Sequence, residues 1–135
     1  MTTSGIVPAA TPRTYGPITR TDIVRYAGAS GDFNPLHHDD EAARSAGFPS
    51  VFSIGMLQAG ILASYATDWM GTDTVRRFSV RFSEQVWPGD ELTCEGTVAA
   101  LEEVDGERLV TVDLVARRQS GAVAVHASAD FGLPC

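Results

Sequence analysis

The sequence predicts an α+β domain in which one long buried helix is enclosed by an antiparallel sheet. Two observations carry this. The stretch from about Ser53 to Met70 is apolar nearly all round, through Leu57, Ile61, Leu62, Tyr65 and Trp69, and a helix with no wide polar face has to be covered on most sides. From Thr74 onward the hydrophobic period switches to two, in four runs separated by turn residues.

The elements follow in order. Met1 to Arg13, rich in Thr, Ala and Pro, reads as a loose tail without the charged start and apolar run of a signal peptide. Thr19 and Asp22 form a capping-box pattern that starts a short helix to about Ala29, with Gly31 as its breaker. Asn34-Pro35 makes a turn. Asp39, Asp40 and Glu41 then place negative charge on the first turn of another short helix, ended by Gly47. After the long helix, Phe78, Val80 and Phe82 alternate with Ser79, Arg81 and Ser83. Leu92, Cys94, Gly96 and Val98 repeat the pattern, as do Val110, Val112 and Leu114, and finally Val123, Val125, Ala127 and Phe131. Trp87-Pro88-Gly89-Asp90, Asp105-Gly106 and Ser120-Gly121 supply the turns. The strands read as a meander, and residues 1–135 as a single domain with no internal repeat.

Composition narrows the function. A net charge of −7 and a pI near 4.7 argue against a nucleic-acid partner, which needs a basic face. The apolar stretch Ile54 to Met70 is shorter than a bilayer span and carries Gln58, Ser64 and Asp68, so it is a buried helix and no membrane insertion is expected. Cys94 in an alternating strand and Cys135 at the last position do not form a disulfide framework, which points to a reducing, cytoplasmic setting. A chain of 135 residues is short for an enzyme that must hold a large substrate, so a partner subunit is expected.

The chemistry concentrates in Ser30-Gly31-Asp32-Phe33-Asn34-Pro35-Leu36-His37-His38-Asp39. Asp32 and His37 lie five residues apart across the Asn-Pro turn, which can fold a carboxylate and an imidazole toward one small volume. In an arbitrary loop the same two residues would more often be a turn cap and a half-buried polar side chain. The surrounding string is what lifts the pair above that. Adjacent histidines on a turn point apart, and only His126 remains elsewhere, so no metal site is expected. Gly55, in the first turn of the long helix, leaves a backbone N–H unobstructed where partial positive charge favours an oxyanion. Close packing of helix on sheet would explain a glycine there equally well.

The string Tyr26-Ala27-x-x-Ser30-Gly31-Asp32-x-Asn34-Pro35-x-His37-x-Asp39, followed by Gly47-Phe48-Pro49 and Gly55-Met56, resembles the signature of the MaoC-like, (R)-specific enoyl-CoA hydratases (hydratase 2). The resemblance implies a hot-dog fold, in agreement with the helix-and-sheet reading, and a homodimer or a heteromer with another hot-dog chain. It implies reversible hydration of a trans-2-enoyl thioester of coenzyme A or an acyl carrier, a lyase reaction without metal or redox cofactor. Asp32 and His37 would be the catalytic pair on one water, the Gly55 amide would hold the thioester carbonyl, and Ser30 and Asn34 would support the loop. Coenzyme A carries phosphates, and arginine's fork suits phosphate. Arg76, Arg77 and Arg81, clustered at the start of the sheet, are the candidates for that contact.

Two positions depart from the resembled signature. It has His before the glycine and Ser about two turns after it, where this chain has Ile54 and Ala63. The competing functions are a hot-dog thioesterase, which would hydrolyse the same thioester, and a non-catalytic subunit of a heteromeric hydratase. Retention of Asp32 and His37 favours the catalytic chain.

Overall fold

The computed structural model describes residues 7–134; the expectations for residues 1–6 and for Cys135 lie outside the described residues. A short strand β1 (Arg13–Tyr15) leads to helix α1 (Arg20–Ser30), a 3-10 turn (Pro35–His37), α2 (Asp40–Ser45) and the long α3 (Gly55–Met70). A second 3-10 turn (Thr72–Thr74) opens β2 (Val75–Phe82), then β3 (Leu92–Val104), β4 (Glu107–Arg118) and β5 (Val123–Pro134). All pairings are antiparallel, in the order β1-β3-β4-β5-β2. The long helix lies on one face of this sheet, touching β2, β3, β4 and β5, the hot-dog arrangement.

Local chemistry explains the boundaries. Thr19 Oγ1 accepts the Asp22 amide while the Asp22 carboxylate accepts the Thr19 amide, which closes the capping box of α1. Gly31, at φ 75°, ends that helix in the left-handed region that glycine adopts without a Cβ penalty. Asp39 caps α2 through the Glu41 and Ala42 amides. Val104 pairs with Glu107, so Asp105-Gly106 is a two-residue hairpin with both φ angles positive, a primed turn that matches strand twist.

The core forms between α3 and the inner sheet face. Leu62 and Ala66 meet Leu92, Cys94, Val110, Val112, Leu114, Val125 and Phe131, all fully or nearly fully buried. A Cβ on Gly96 would come within 2.8 Å of the Trp69 ring, so only glycine lets this end of the helix settle on β3.

Three expectations change. Residues 7–13 are not a loose tail: Val7 is buried in the core, Pro8 O accepts from Trp69 Nε1 at 2.7 Å, Thr11 O accepts from Tyr65 Oη at 2.8 Å, and Arg13 opens β1. Buried aromatic side chains with polar tips need such acceptors, and the segment supplies them. The four strands are not a simple meander, because β2 pairs with β5 on the far edge while β3, β4 and β5 follow in order. The sheet also covers less of α3 than its apolar circumference suggested, leaving Met56, Gly60 and Ser64 exposed.

The position of β2 makes residues 83–91 cross the end of the sheet from one edge toward the other. That crossing is fastened to Ala124 O through the Ser83 amide, to the Ser53 amide through Val86 O, and to Ile18 through Gly89 N and Asp90 O. Its turn has Pro88 then Gly89 at φ 93°, with the Asp90 amide bonded to Trp87 O, the chemistry of a type II turn. The Asp90 carboxylate is buried and accepts from Trp87 N (2.9 Å), Arg118 Nε (2.8 Å) and Gln119 Nε2 (2.7 Å).

Burial alone would raise the Asp90 pKa, but hydrogen bonds from Arg118, Gln119 and the Trp87 amide together hold it below the usual carboxylate value. A depressed carboxylate contributes stability that is present above its unfolded pKa and is lost as pH falls through the folded one. Asp90→Asn should therefore cost about 1–3 kcal/mol in urea unfolding at neutral pH. The gap from the parent should narrow below the ordinary aspartate value of about 3.9. A gap constant from neutrality to acid would contradict this account.

Candidate active site

The loop between α1 and α2 is held by side chains bonding their own backbone. Ser30 Oγ accepts the Asp32 amide at 3.3 Å, Asp32 Oδ1 accepts the Asn34 amide at 3.2 Å, and Asn34 Oδ1 accepts the Leu36 amide at 3.1 Å. Short polar side chains do this readily in turns. Pro35 starts the following 3-10 turn with its φ already set, and His37 lies at its end.

This folding brings Asp32 and His37 together. Asp32 Oδ2 and His37 Nε2 are 3.9 Å apart, too far for a direct hydrogen bond and close enough for one water to touch both. The His37 side chain is only 10% exposed and that of Asp32 41%, so the pair sits at a protected, still accessible position. The other ring nitrogen, Nδ1, is 2.8 Å from Phe52 O. A carbonyl only accepts, so Nδ1 carries a hydrogen, and in the neutral imidazole Nε2 is the acceptor nitrogen on the side of Asp32. The Phe52 ring meets the imidazole edge-on at 5.2 Å and is itself packed between Phe48 and Trp87.

The second wall is the N-terminus of α3. Ile54 caps the helix with no side-chain hydrogen bond; its carbonyl accepts the Leu57 amide, and the Gly55 and Met56 amides before it have no side-chain cap acceptor. Gly55, His37, Ser53, Gln58, Phe82 and Glu84 line one cleft of about 250 Å³. An added Cβ on Gly55 would lie 3.1 Å from the Phe82 ring, so glycine lets that ring pack against the start of the helix. Cleft, imidazole and helix terminus thus share one small volume.

The arginines fall differently. Arg76 is paired with Glu107 at 2.6 Å and Arg77 grips Asp130 through Nε and Nη2 at 2.7 and 3.1 Å. Among the described residues Arg81 alone of the three has no ion pair; it lies on the sheet face turned away from α3, beside Asp113 and His126. His38 is exposed. Among the described residues no group of three or more His, Cys, Asp or Glu is placed to hold a metal ion. Cys94 is buried and its thiol is pushed up to about 12 by desolvation, which makes it a packing residue and not a nucleophile.

Several lining residues carried no sequence motif. Phe52, which fixes the imidazole, and Phe82, which covers Gly55, are indistinguishable from core residues in the sequence. The Ser53–Gln58 pair left one trace, a glutamine one turn after Gly55 in the apolar first half of the helix.

The family model of the MaoC like domain matches residues 4–119. The chain belongs to this family. It is 33% identical over 119 residues, covering 84% of each chain, to the (R)-specific enoyl-CoA hydratase of Aeromonas caviae. The solved (R)-hydratase from A. caviae superposes with a TM-score of 0.81 at 28% identity, over 95% of this chain and 98% of that one. The 3-oxo-4,17-pregnadiene-20-carboxyl-CoA hydratase beta subunit of Mycobacterium tuberculosis is 32% identical over 102 residues, 75% of this chain and 76% of that protein. Among the described residues of this MaoC-like chain, no helix is long and apolar enough to cross a membrane.

Proposed function

We propose that this MaoC-like protein is a hydro-lyase that reversibly hydrates trans-2-enoyl thioesters to (R)-3-hydroxyacyl thioesters. The observation that carries the reading is the one-water gap between Asp32 and His37 at the mouth of the cleft that holds the open N-terminus of α3. The bound thioester places its carbonyl oxygen at the Gly55 amide and its double bond over the water. Its acyl chain follows the cleft. His37 Nε2 accepts a proton from the water while Asp32 orients it. The water oxygen bonds to the β-carbon, and the π electrons move toward the carbonyl as an enolate stabilised at the Gly55 amide. The α-carbon then receives the proton from the same pair, and dehydration is the reverse. One hydroxyl and one proton are added with no net electron transfer, so the chemistry calls for no redox cofactor.

Asp32→Asn and His37→Ala should each lower the hydration rate by about 10²–10⁴ while the fold survives. The double variant should be little worse than either single one, because the two act on one water. Steady-state hydration of crotonyl-CoA measures both, and near-normal turnover in either single variant defeats the assignment.

If one water held on one face supplies both hydroxyl and proton, addition is syn. A trans-2-enoyl-CoA incubated in deuterated water should yield an (R)-3-hydroxy product with one α-deuterium of single relative configuration and no free CoA. Free thiol without alkene hydration would move the protein to the thioesterases.

The same reading includes a second hot-dog chain. Among the described residues the β2 edge (Val75–Phe82) has no neighbour beyond it, and Phe33, Met56 and Phe82 are large apolar side chains left exposed near the cleft. An open edge of this length is a template for pairing. A thioester substrate and a reduced Cys94 support a cytoplasmic setting. Light scattering at micromolar concentration should give at least twice the 14.4 kDa of one chain, alone or with a co-produced hot-dog partner. One chain's mass in both cases would refute the assembly.

A further inference from the structure

The cleft contains a polar pair that the water-sharing mechanism does not use. Ser53 and Gln58 are each only 2% exposed, and Ser53 Oγ donates to Gln58 Oε1 at 2.6 Å. That bond engages the amide oxygen and turns Nε2 away from it. Among the described residues no hydrogen bond from Nε2 is made, and Gln58 lines the cleft beside Gly55, which leaves the amide nitrogen available to a molecule bound there. Gln58 stands three residues after Gly55, on the same side of α3, and side chains on a helix lean back toward its N-terminus. The amide therefore reaches toward the Gly55 N–H. A donor without a protein acceptor at a cleft wall is satisfied by water or by an oxygen atom of a bound ligand.

We propose that Gln58 Nε2 is a second hydrogen-bond donor to the thioester carbonyl oxygen, beside the Gly55 amide, and that Ser53 positions it. The inference rests on the hydratase reading and deepens it. Two donors converging on one oxygen stabilise the enolate more than the starting carbonyl, because charge collects there only as the water adds. Oriented in advance by Ser53, the glutamine amide needs no rearrangement during the reaction. Ile54, immediately before Gly55, is buried in the core and brings no polar group to the oxygen. The side-chain donor on this wall is Gln58 alone among the residues of α3 that line the cleft.

The test uses crotonyl-CoA for rate and 4-dimethylaminocinnamoyl-CoA, whose absorption moves to the red when its carbonyl is polarised, for contact. Gln58→Leu should lower kcat by about 10²-fold with little change in KM. Ser53→Ala should lower it less, and the double variant should be no worse than Gln58→Leu. The red shift of the bound cinnamoyl thioester should persist in Asp32→Asn and shrink in Gln58→Leu. Gln58→Glu keeps size and the Ser53 bond but replaces the donor with a carboxylate, so it decides the matter if the leucine variant does not fold. It should be slow, with a diminished red shift. Full kcat or an undiminished shift in a folded Gln58 variant overturns the proposal while leaving hydration intact. If the parent protein hydrates nothing, the hydratase reading fails, and the cinnamoyl shift still decides whether Gln58 touches the carbonyl.

Discussion

The backbone of Phe52 and Ser53 makes three hydrogen bonds to two separate parts of the chain, and the geometry of the cleft depends on them. Phe52 N reaches Leu36 O, Phe52 O accepts from His37, and Ser53 N reaches Val86 O at 2.7 Å. The loop that carries Asp32, the crossing segment that lines the cleft and the entrance to α3 are thereby referenced to the same few atoms. A change in any of the three alters the distance between the imidazole and the helix terminus. Catalytic groups separated by an ångström from their working positions lose much of their effect, so this junction governs function more than the core does.

The stability of the junction comes from buried contacts and not from the surface ion pairs. Arg13 with Asp68 and Arg117 with Glu95 are well exposed, and pairs of that kind contribute little. Asp90 differs because it is buried and its bonds to Arg118, Gln119 and Trp87 hold the crossing segment. Loss of one partner there leaves an unsatisfied group away from water. Asp40 does the equivalent work for the loop by accepting the Val51 amide and pairing with Arg20 of α1.

Much of this was legible in the sequence where the cause was local. The Thr19 and Asp22 capping box, the Asp105-Gly106 hairpin and the Asp32 to His37 spacing each depend on residues a few positions apart. The place of β2 was not legible, because alternation fixes which side chains face inward but not which strand lies alongside. β1 is three residues long, too short for a period to show, and residues 7–12 carry no repeat at all. Their attachment depends on the polar tips of Tyr65 and Trp69, more than fifty residues away. The Ser53–Gln58 pair was hidden for a similar reason: a lone glutamine in an apolar helix has no meaning until the residue that orients it is known.

The N-terminus of α3 shows where the fold yields stability to the site. Helices α1 and α2 are capped by Thr19 and Asp39, whereas α3, the longest, begins after Ile54 with no side-chain cap. A Ser, Thr, Asp or Asn at that position would stabilise the helix by about 0.5–2 kcal/mol relative to an apolar residue. Its oxygen would also occupy the space in front of the first amides. Leaving the cap apolar, with Ile54 turned into the core and Ser53 turned to Gln58, keeps a side-chain oxygen away from the Gly55 and Met56 amides. In the proposed mechanism the thioester oxygen would take the place of the missing cap, so that binding would complete the helix, and the charge developing on that oxygen during reaction would strengthen the completion.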